Sequence, residues 1–245
     1  MQKNEEFHNS LENIVSFQAV SKLYGKVTAL EEISFDIACG ETILLVGANG
    51  AGKSTLLSIL SSLINPTKGK LLYKNKDISK VVSEYRQDCS FCPTFNTLNN
   101  NYTIKKSLLY HAFFYGMSKD EAVKNVQKIV KQFDLKNYLD LYPRQLSFGY
   151  QKRVMIARSL IHKPNILLLD EPTVGLDPAI RLDLINFIKE LKQYGITIIV
   201  STHYPDEVMG FSNRVCVLKR GKLVFFDTVL KLEKKYPNLD IIFEE

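Results

Sequence analysis

Gly47-Ala48-Asn49-Gly50-Ala51-Gly52-Lys53-Ser54-Thr55 is the stretch whose reading decides the fold of this chain. Immediately before it stands Thr42-Ile43-Leu44-Leu45-Val46, an apolar run that reads as a buried strand. Immediately after it, Leu56-Leu57-Ser58-Ile59-Leu60 begins a helix-period pattern. Strand, glycine loop and helix in that order are the setting a phosphate-binding loop requires. The glycines let the backbone curl until successive N–H groups converge on an anion. The helix that follows adds the positive end of its dipole. Lys53 can then reach β- and γ-phosphates, and the Ser54 hydroxyl is placed to ligate Mg²⁺. This is a nucleotide-phosphate site rather than an ordinary glycine turn.

Working outward, the apolar run at 166–169 ends in Asp170-Glu171-Pro172. Carboxylates at the carboxyl edge of a parallel sheet stand where α/β folds bind their ligands. If this strand neighbours the phosphate-loop strand, Asp170 can hold Mg²⁺ together with Ser54. Glu171 would then face the γ-phosphate and could act as general base on an attacking water. His203 lies just past another buried run, 196–200, at the same expected edge, where it could contact the γ-phosphate or that water. Tyr24, ahead of the loop, reads equally as a packing residue or as an aromatic that stacks on a nucleotide base.

The rest of the chain alternates strand and helix signals. Strands are expected at 14–20, 33–37, 69–73 and 89–92, and a hairpin at 214–218 and 223–226 turning at Arg220-Gly221. From 103 to about 141 the pattern is helical instead. Ser118-Lys119-Asp120-Glu121 is a capping box, followed by an apolar face of Ala122, Val126, Ile129, Val130 and Phe133. This block interrupts the alternation, as a subdomain would. Helices are also expected at 151–162 and 180–193, with a short terminal helix after the hairpin.

Composition narrows the class. The chain has 245 residues, 45% hydrophobic and 24% charged, so it can bury a sizeable core. No apolar run reaches the ~18 residues of a membrane span, and the polar start lacks a signal-peptide core, so a cytosolic protein is expected. The net charge of +6 is spread over helical stretches without an aromatic–basic stripe, which argues against nucleic acid as a partner. Cys39, Cys89, Cys92 and Cys216 read as reduced side chains, since the single Cys-x-x-Cys has no second ligand pair.

Together these residues resemble the nucleotide-binding subunit of ABC transporters, from about Val15 to Phe226. On that resemblance Tyr24 matches the residue stacking on adenine, and Gly47 to Thr55 matches Walker A. Pro93-Thr94 falls at the Q-loop. Leu146-Ser147-Phe148-Gly149-Tyr150 matches the signature motif that contacts the ATP of a partner subunit. Asp170 and the catalytic Glu171 end Walker B, Asp177 lies in the D-loop, and His203 is the switch histidine. The implied fold is a P-loop NTPase core with a mainly parallel sheet, an N-terminal antiparallel β-subdomain and an inserted helical subdomain at about 95–160. The domain would span 13–226, after a loose start at 1–12 and before a short helix and tail at 227–245.

The resemblance further implies ATP and Mg²⁺ as cofactors and hydrolysis to ADP and phosphate. It implies a head-to-tail dimer, homodimer or heterodimer, around two ATP, and a separate transmembrane permease that would hold this chain on the inner face of the cell membrane. Phe113-Phe114-Tyr115-Gly116-Met117 in the helical block resembles exporter ATPases. The alternatives are an importer ATPase or a nucleotide-dependent regulatory protein with weak hydrolysis. Two departures from the family pattern stand out. Phe148 and Tyr150 replace the signature's Gly and Gln, and Thr94 replaces the Q-loop glutamine.

Overall fold

The computed structural model describes residues 12–204 and 212–243. The loose start expected at 1–12 lies outside them except for Glu12, and so do the last two residues of the expected tail. The first strands, β1 (Asn13–Tyr24) and β2 (Val27–Ala38), form a hairpin longer than the sequence signals at 14–20 and 33–37. β3 (Thr42–Val46) leads through the glycine loop into α1 (Lys53–Leu60). β4 (Lys68–Tyr73) and β5 (Lys76–Asp77) follow, then α2 (Val82–Asp88), a helix that sequence reading missed. At seven residues and with one buried side chain, Tyr85, α2 offers too little periodicity to detect.

β6 (Cys89–Cys92) precedes the helical block of α3 (Ile104–Phe114), α4 (Lys119–Gln132) and α5 (Phe148–Ser159). α4 starts at the expected box: Ser118 Oγ accepts from Glu121 N, and Ser118 N donates to Glu121 Oε2 at 3.0 Å. The helix expected at 151–162 in fact begins three residues earlier. Ser147 Oγ accepts from Tyr150 N at 3.4 Å and caps it, so Phe148, Gly149 and Tyr150 lie inside α5 rather than before it. β7 (Ile166–Asp170), α6 (Pro178–Glu190) and β8 (Thr197–Thr202) restore the alternation. β9 (Arg214–Lys219), β10 (Lys222–Thr228) and α7 (Val229–Lys235) complete the described chain. The expected hairpin is β9–β10, with β10 running on to Thr228.

Two sheets result. One is antiparallel, in the order β2-β1-β4-β5, and the other has six strands in the order β10-β9-β3-β8-β7-β6. In the second, β9, β3, β8, β7 and β6 run parallel and β10 closes the edge antiparallel to β9. Side-chain alternation sorts its buried residues onto two faces. Leu44, Val46, Leu167, Leu169, Ile198 and Val200 pack with the helices of the block. Ile43, Leu45, Ile166, Leu168 and Ile199 pack with α1 and the antiparallel sheet. Strands covered on both faces read as continuous apolar runs, which is why β3, β7 and β8 stood out in the sequence. No helix among the described residues is long and apolar enough to cross a membrane.

Candidate active site

β3, β8 and β7 end side by side at one edge of the parallel sheet, and their ends carry the polar groups. The approach of Ser54 to Asp170 was expected only if β7 neighboured β3. It does not, because β8 lies between them. The two side chains meet nonetheless, with Ser54 Oγ 3.4 Å from Asp170 Oδ1. The intervening strand contributes its own group to the same oxygen: Ser201 Oγ donates to Asp170 Oδ1 at 2.6 Å and accepts from Glu171 N at 2.9 Å. Ser201 is fully buried, and sequence reading gave it no role. Its signal was a hydroxyl just past the apolar run 196–200, two residues before His203.

The glycine loop is shaped by close packing. A Cβ on Gly47 would stand 2.3 Å from Leu218 O, and one on Gly52 would stand 2.8 Å from Ala29 O. Gly52 also has φ +106°, a conformation L side chains rarely adopt. The loop is thereby pressed between β2 and the start of the β9–β10 turn. Lys53 Nζ folds into it, donating to Gly47 O at 2.8 Å and Ala48 O at 3.1 Å. The same nitrogen lies 3.4 Å from Glu171 Oε1. Burial pulls the Lys53 ammonium below the usual lysine pKa, while the charge of Glu171 opposes that shift.

Glu171 follows the last residue of β7 with φ +45°, strained for a residue with a side chain, and its N–H is held by Ser201. The turn brings its carboxylate between two bases. Oε1 faces Lys53 on one side and, on the other, His203 Nδ1 at 3.2 Å without the alignment of a hydrogen bond. His203 also packs on Tyr204, ring centroids 4.3 Å apart. A buried amine, a hydroxyl, two carboxylates and an imidazole thus converge where the N–H groups of the loop meet the start of α1. Such a site can take an anion, hold a hard cation on Ser54 and Asp170, and present a carboxylate to water.

Residues 30–174 match the family model described as ABC transporter. The chain belongs to this family. The cassette is 32% identical over 210 residues to "Nod factor export ATP-binding protein I" of Burkholderia orbicola (strain AU 1054), covering 86% of this chain and 69% of that protein. It superposes on cbiO1 from Clostridium perfringens, described as part of the ABC transporter complex cbiONQ, with a TM-score of 0.83 and 29% identity over 94% of this chain and 97% of that one. It is similar as well to the ATP-binding cassette MJ0796, solved as a dimer bound to ADP and Pi, with a TM-score of 0.78 and 29% identity over 88% of this chain and 98% of that one.

Within the cassette, the remaining expected site residues stand apart from the Lys53–Glu171 cluster. Ser147 caps α5, Tyr150 packs on Tyr138 at 4.4 Å, and Phe148 is partly exposed with one ring edge toward Gly175. Among the described residues no hydrogen bond or ion pair joins 147–150 to 47–55. Asp177 is exposed at the start of α6, where its carbonyl accepts from Arg181 N at 2.8 Å. Tyr24 is half-exposed at the end of the β1–β2 hairpin, with Lys22 Nζ 5.2 Å from its ring centroid. Thr94 follows β6, and its carbonyl accepts from Lys152 Nζ. Cys89 and Cys92 are buried on β6, and burial pushes their thiols up to about 12 and about 11.

Proposed function

We propose that this cassette is the ATP-hydrolysing subunit of a transporter, working as a dimer with a separate membrane permease in the export direction. The observation that carries the reading is the convergence of Lys53 and His203 on one oxygen of Glu171, beside the Ser54–Asp170 pair. In this reading the loop N–H groups of 47–55 bind the phosphates of ATP and Lys53 turns its ammonium onto the β- and γ-phosphates. Glu171, relieved of Lys53, takes the proton of the attacking water on Oε1, and His203 orients that water or the γ-phosphate. Ser54 and Asp170 form a pair of hard oxygen donors of the type Mg²⁺ takes, and Ser201 keeps Asp170 aimed at it. Bound there, Mg²⁺ would supply positive charge to the phosphate oxygens. Tyr24 stacks on the adenine.

The separation of the signature residues from the glycine loop supports the dimer. Ser147, Phe148, Gly149 and Tyr150 serve the ATP of a second subunit, homologous or identical, and Asp177 follows Gly175 and Leu176, which pack near Phe148 and Gly149. The dimeric MJ0796 cassette supports this arrangement, and the Nod factor export relative supports the export direction. The protein would then sit on the inner face of the membrane, held by its permease. Two measurements test the reading. Purified protein should hydrolyse ATP in a Mg²⁺-dependent way, and a polytopic membrane protein should co-purify with it from detergent-solubilised membranes. Ribosomes or DNA in place of that protein would overturn the transport reading.

A further inference from the structure

β6 ends with Cys92 paired to Leu169 of β7, so residues 93–98 depart from the sheet edge that carries Asp170 and Glu171. Three side chains of α5 grip this departing segment. Lys152 Nζ donates to Thr94 O, Gln151 Oε1 accepts from Asn96 Nδ2, and Arg158 Nη1 donates to Thr97 O at 3.1 Å. Gln151 Nε2 also donates to Leu146 O at 3.0 Å, which ties the grip to the turn before Ser147. One helix therefore holds both the segment leaving the catalytic edge and the residues matched to the signature.

Lys152 is the buried member of the three, only 1% exposed. A lysine is rarely so enclosed without groups that balance its charge. Those facing it are the Thr94 carbonyl, the Phe148 ring with its centroid 5.4 Å from Nζ, and the nearby charges of Asp170 and Glu171. Burial lowers the pKa of its ammonium, and the two carboxylates, with the Cys92 thiol, act against that shift. Among the described residues no other lysine hydrogen-bonds to the 93–98 segment.

We propose that Lys152 is a positioning residue for hydrolysis, its ammonium fastening residues 93–98 to α5 and so fixing the place of that segment beside the Asp170–Glu171 edge. The proposal rests on the ATPase reading for its effect on rate. Its structural half, the fastening of 93–98, does not.

The test compares full-length protein with Lys152→Met, Lys152→Gln and Lys152→Arg, each shown by thermal melting to be folded. Steady-state ATP hydrolysis gives kcat and KM, and hydrogen exchange follows the amides of 94–98. Losing a charged hydrogen bond to a carbonyl should speed exchange over 94–98 about tenfold in Lys152→Met while α1 is unchanged. In the same variant kcat should fall about tenfold with KM for Mg-ATP changed less than about twofold, because the phosphate loop is untouched. Lys152→Arg should restore slow exchange and most of kcat, and Lys152→Gln should fall between. Wild-type exchange and wild-type kcat in Lys152→Met overturn the proposal, as does an Arg variant no better than Met. If the unsubstituted protein does not hydrolyse ATP, the ATPase reading and the rate effect both fall, and exchange over 94–98 alone decides whether Lys152 fastens the segment.

Discussion

Ser201 Oγ donates to Asp170 Oδ1 at 2.6 Å, so the strand that separates β3 from β7 supplies the group that aims β7's carboxylate at Ser54. The same hydroxyl accepts from Glu171 N and holds that residue in its left-handed turn. Removing it should uncouple both. Ser201→Ala is expected to cost about 1.5–3 kcal/mol, the range for a buried hydrogen bond to a charged group. It should also raise the Mg²⁺ concentration needed for half-maximal hydrolysis. A melting curve and a Mg²⁺ titration of the ATPase rate check the two effects.

Glu171→Gln keeps the shape of the side chain while removing its ability to take a proton. Hydrolysis should fall at least about 10²-fold, the lower end of general-base contributions. ATP would then persist between subunits. Size-exclusion chromatography with ATP and Mg²⁺ should show dimer for this variant, and a purely monomeric elution would remove the sandwich arrangement.

Gly149 lies in the first turn of α5, and a Cβ there would stand 2.4 Å from Ile180 Cγ2 on α6. Gly149→Ala should therefore destabilise the protein by about 1–3 kcal/mol, a typical cost of overpacking. In an Ile180→Ala background the colliding methyl is gone, so the same change should become nearly neutral. Denaturant unfolding of the four proteins in the cycle measures this coupling.

His111 on α3 and His162 after α5 pack with Tyr115, which stacks on His162 at 3.6 Å. Burial lowers the His111 pKa to about 4 and the His162 pKa to about 3, with Arg158 beside His111 and His111 beside His162 adding to the shift and Asp88 opposing it for His162. Both fall below the ordinary value of 6.5. Between those values the unfolded chain binds more protons than the folded one. Stability from this pair is thus complete above about pH 6.5 and is lost as pH falls toward 4 and then 3. The melting temperature should drop between pH 7 and 5, and less steeply in His162→Phe. Equal slopes in the two proteins would show that the pair is not the cause.

How much was legible in the sequence can be judged residue by residue. The strand, loop and helix around Lys53 were readable because their signals are adjacent in the chain and each strand is covered on both faces. The capping box of α4 was readable for the same reason, since Ser118 and Glu121 are three residues apart. α5 starts earlier than its periodicity predicts, because a serine cap followed by an aromatic, a glycine and a tyrosine carries no helical period. α2 escaped because one buried tyrosine cannot make a pattern. Asp170 and Glu171 are recognisable as a pair at a strand end, but what brings Asp170 to Ser54 is not strand adjacency, since β8 lies between β7 and β3.

The chain by itself determined the phosphate loop, the carboxylate-ended strand, the helical block and the family resemblance, all of them short-range patterns of type and spacing. Tertiary structure alone decided that β8 stands between β3 and β7, that Ser201 serves both Asp170 and Glu171, and that Lys152 closes on Thr94 from 58 residues away. The physical reason is the same in each case. Strand order and the reach of a buried side chain are fixed by how whole layers pack, and no local periodicity records which distant backbone an amine or hydroxyl will meet.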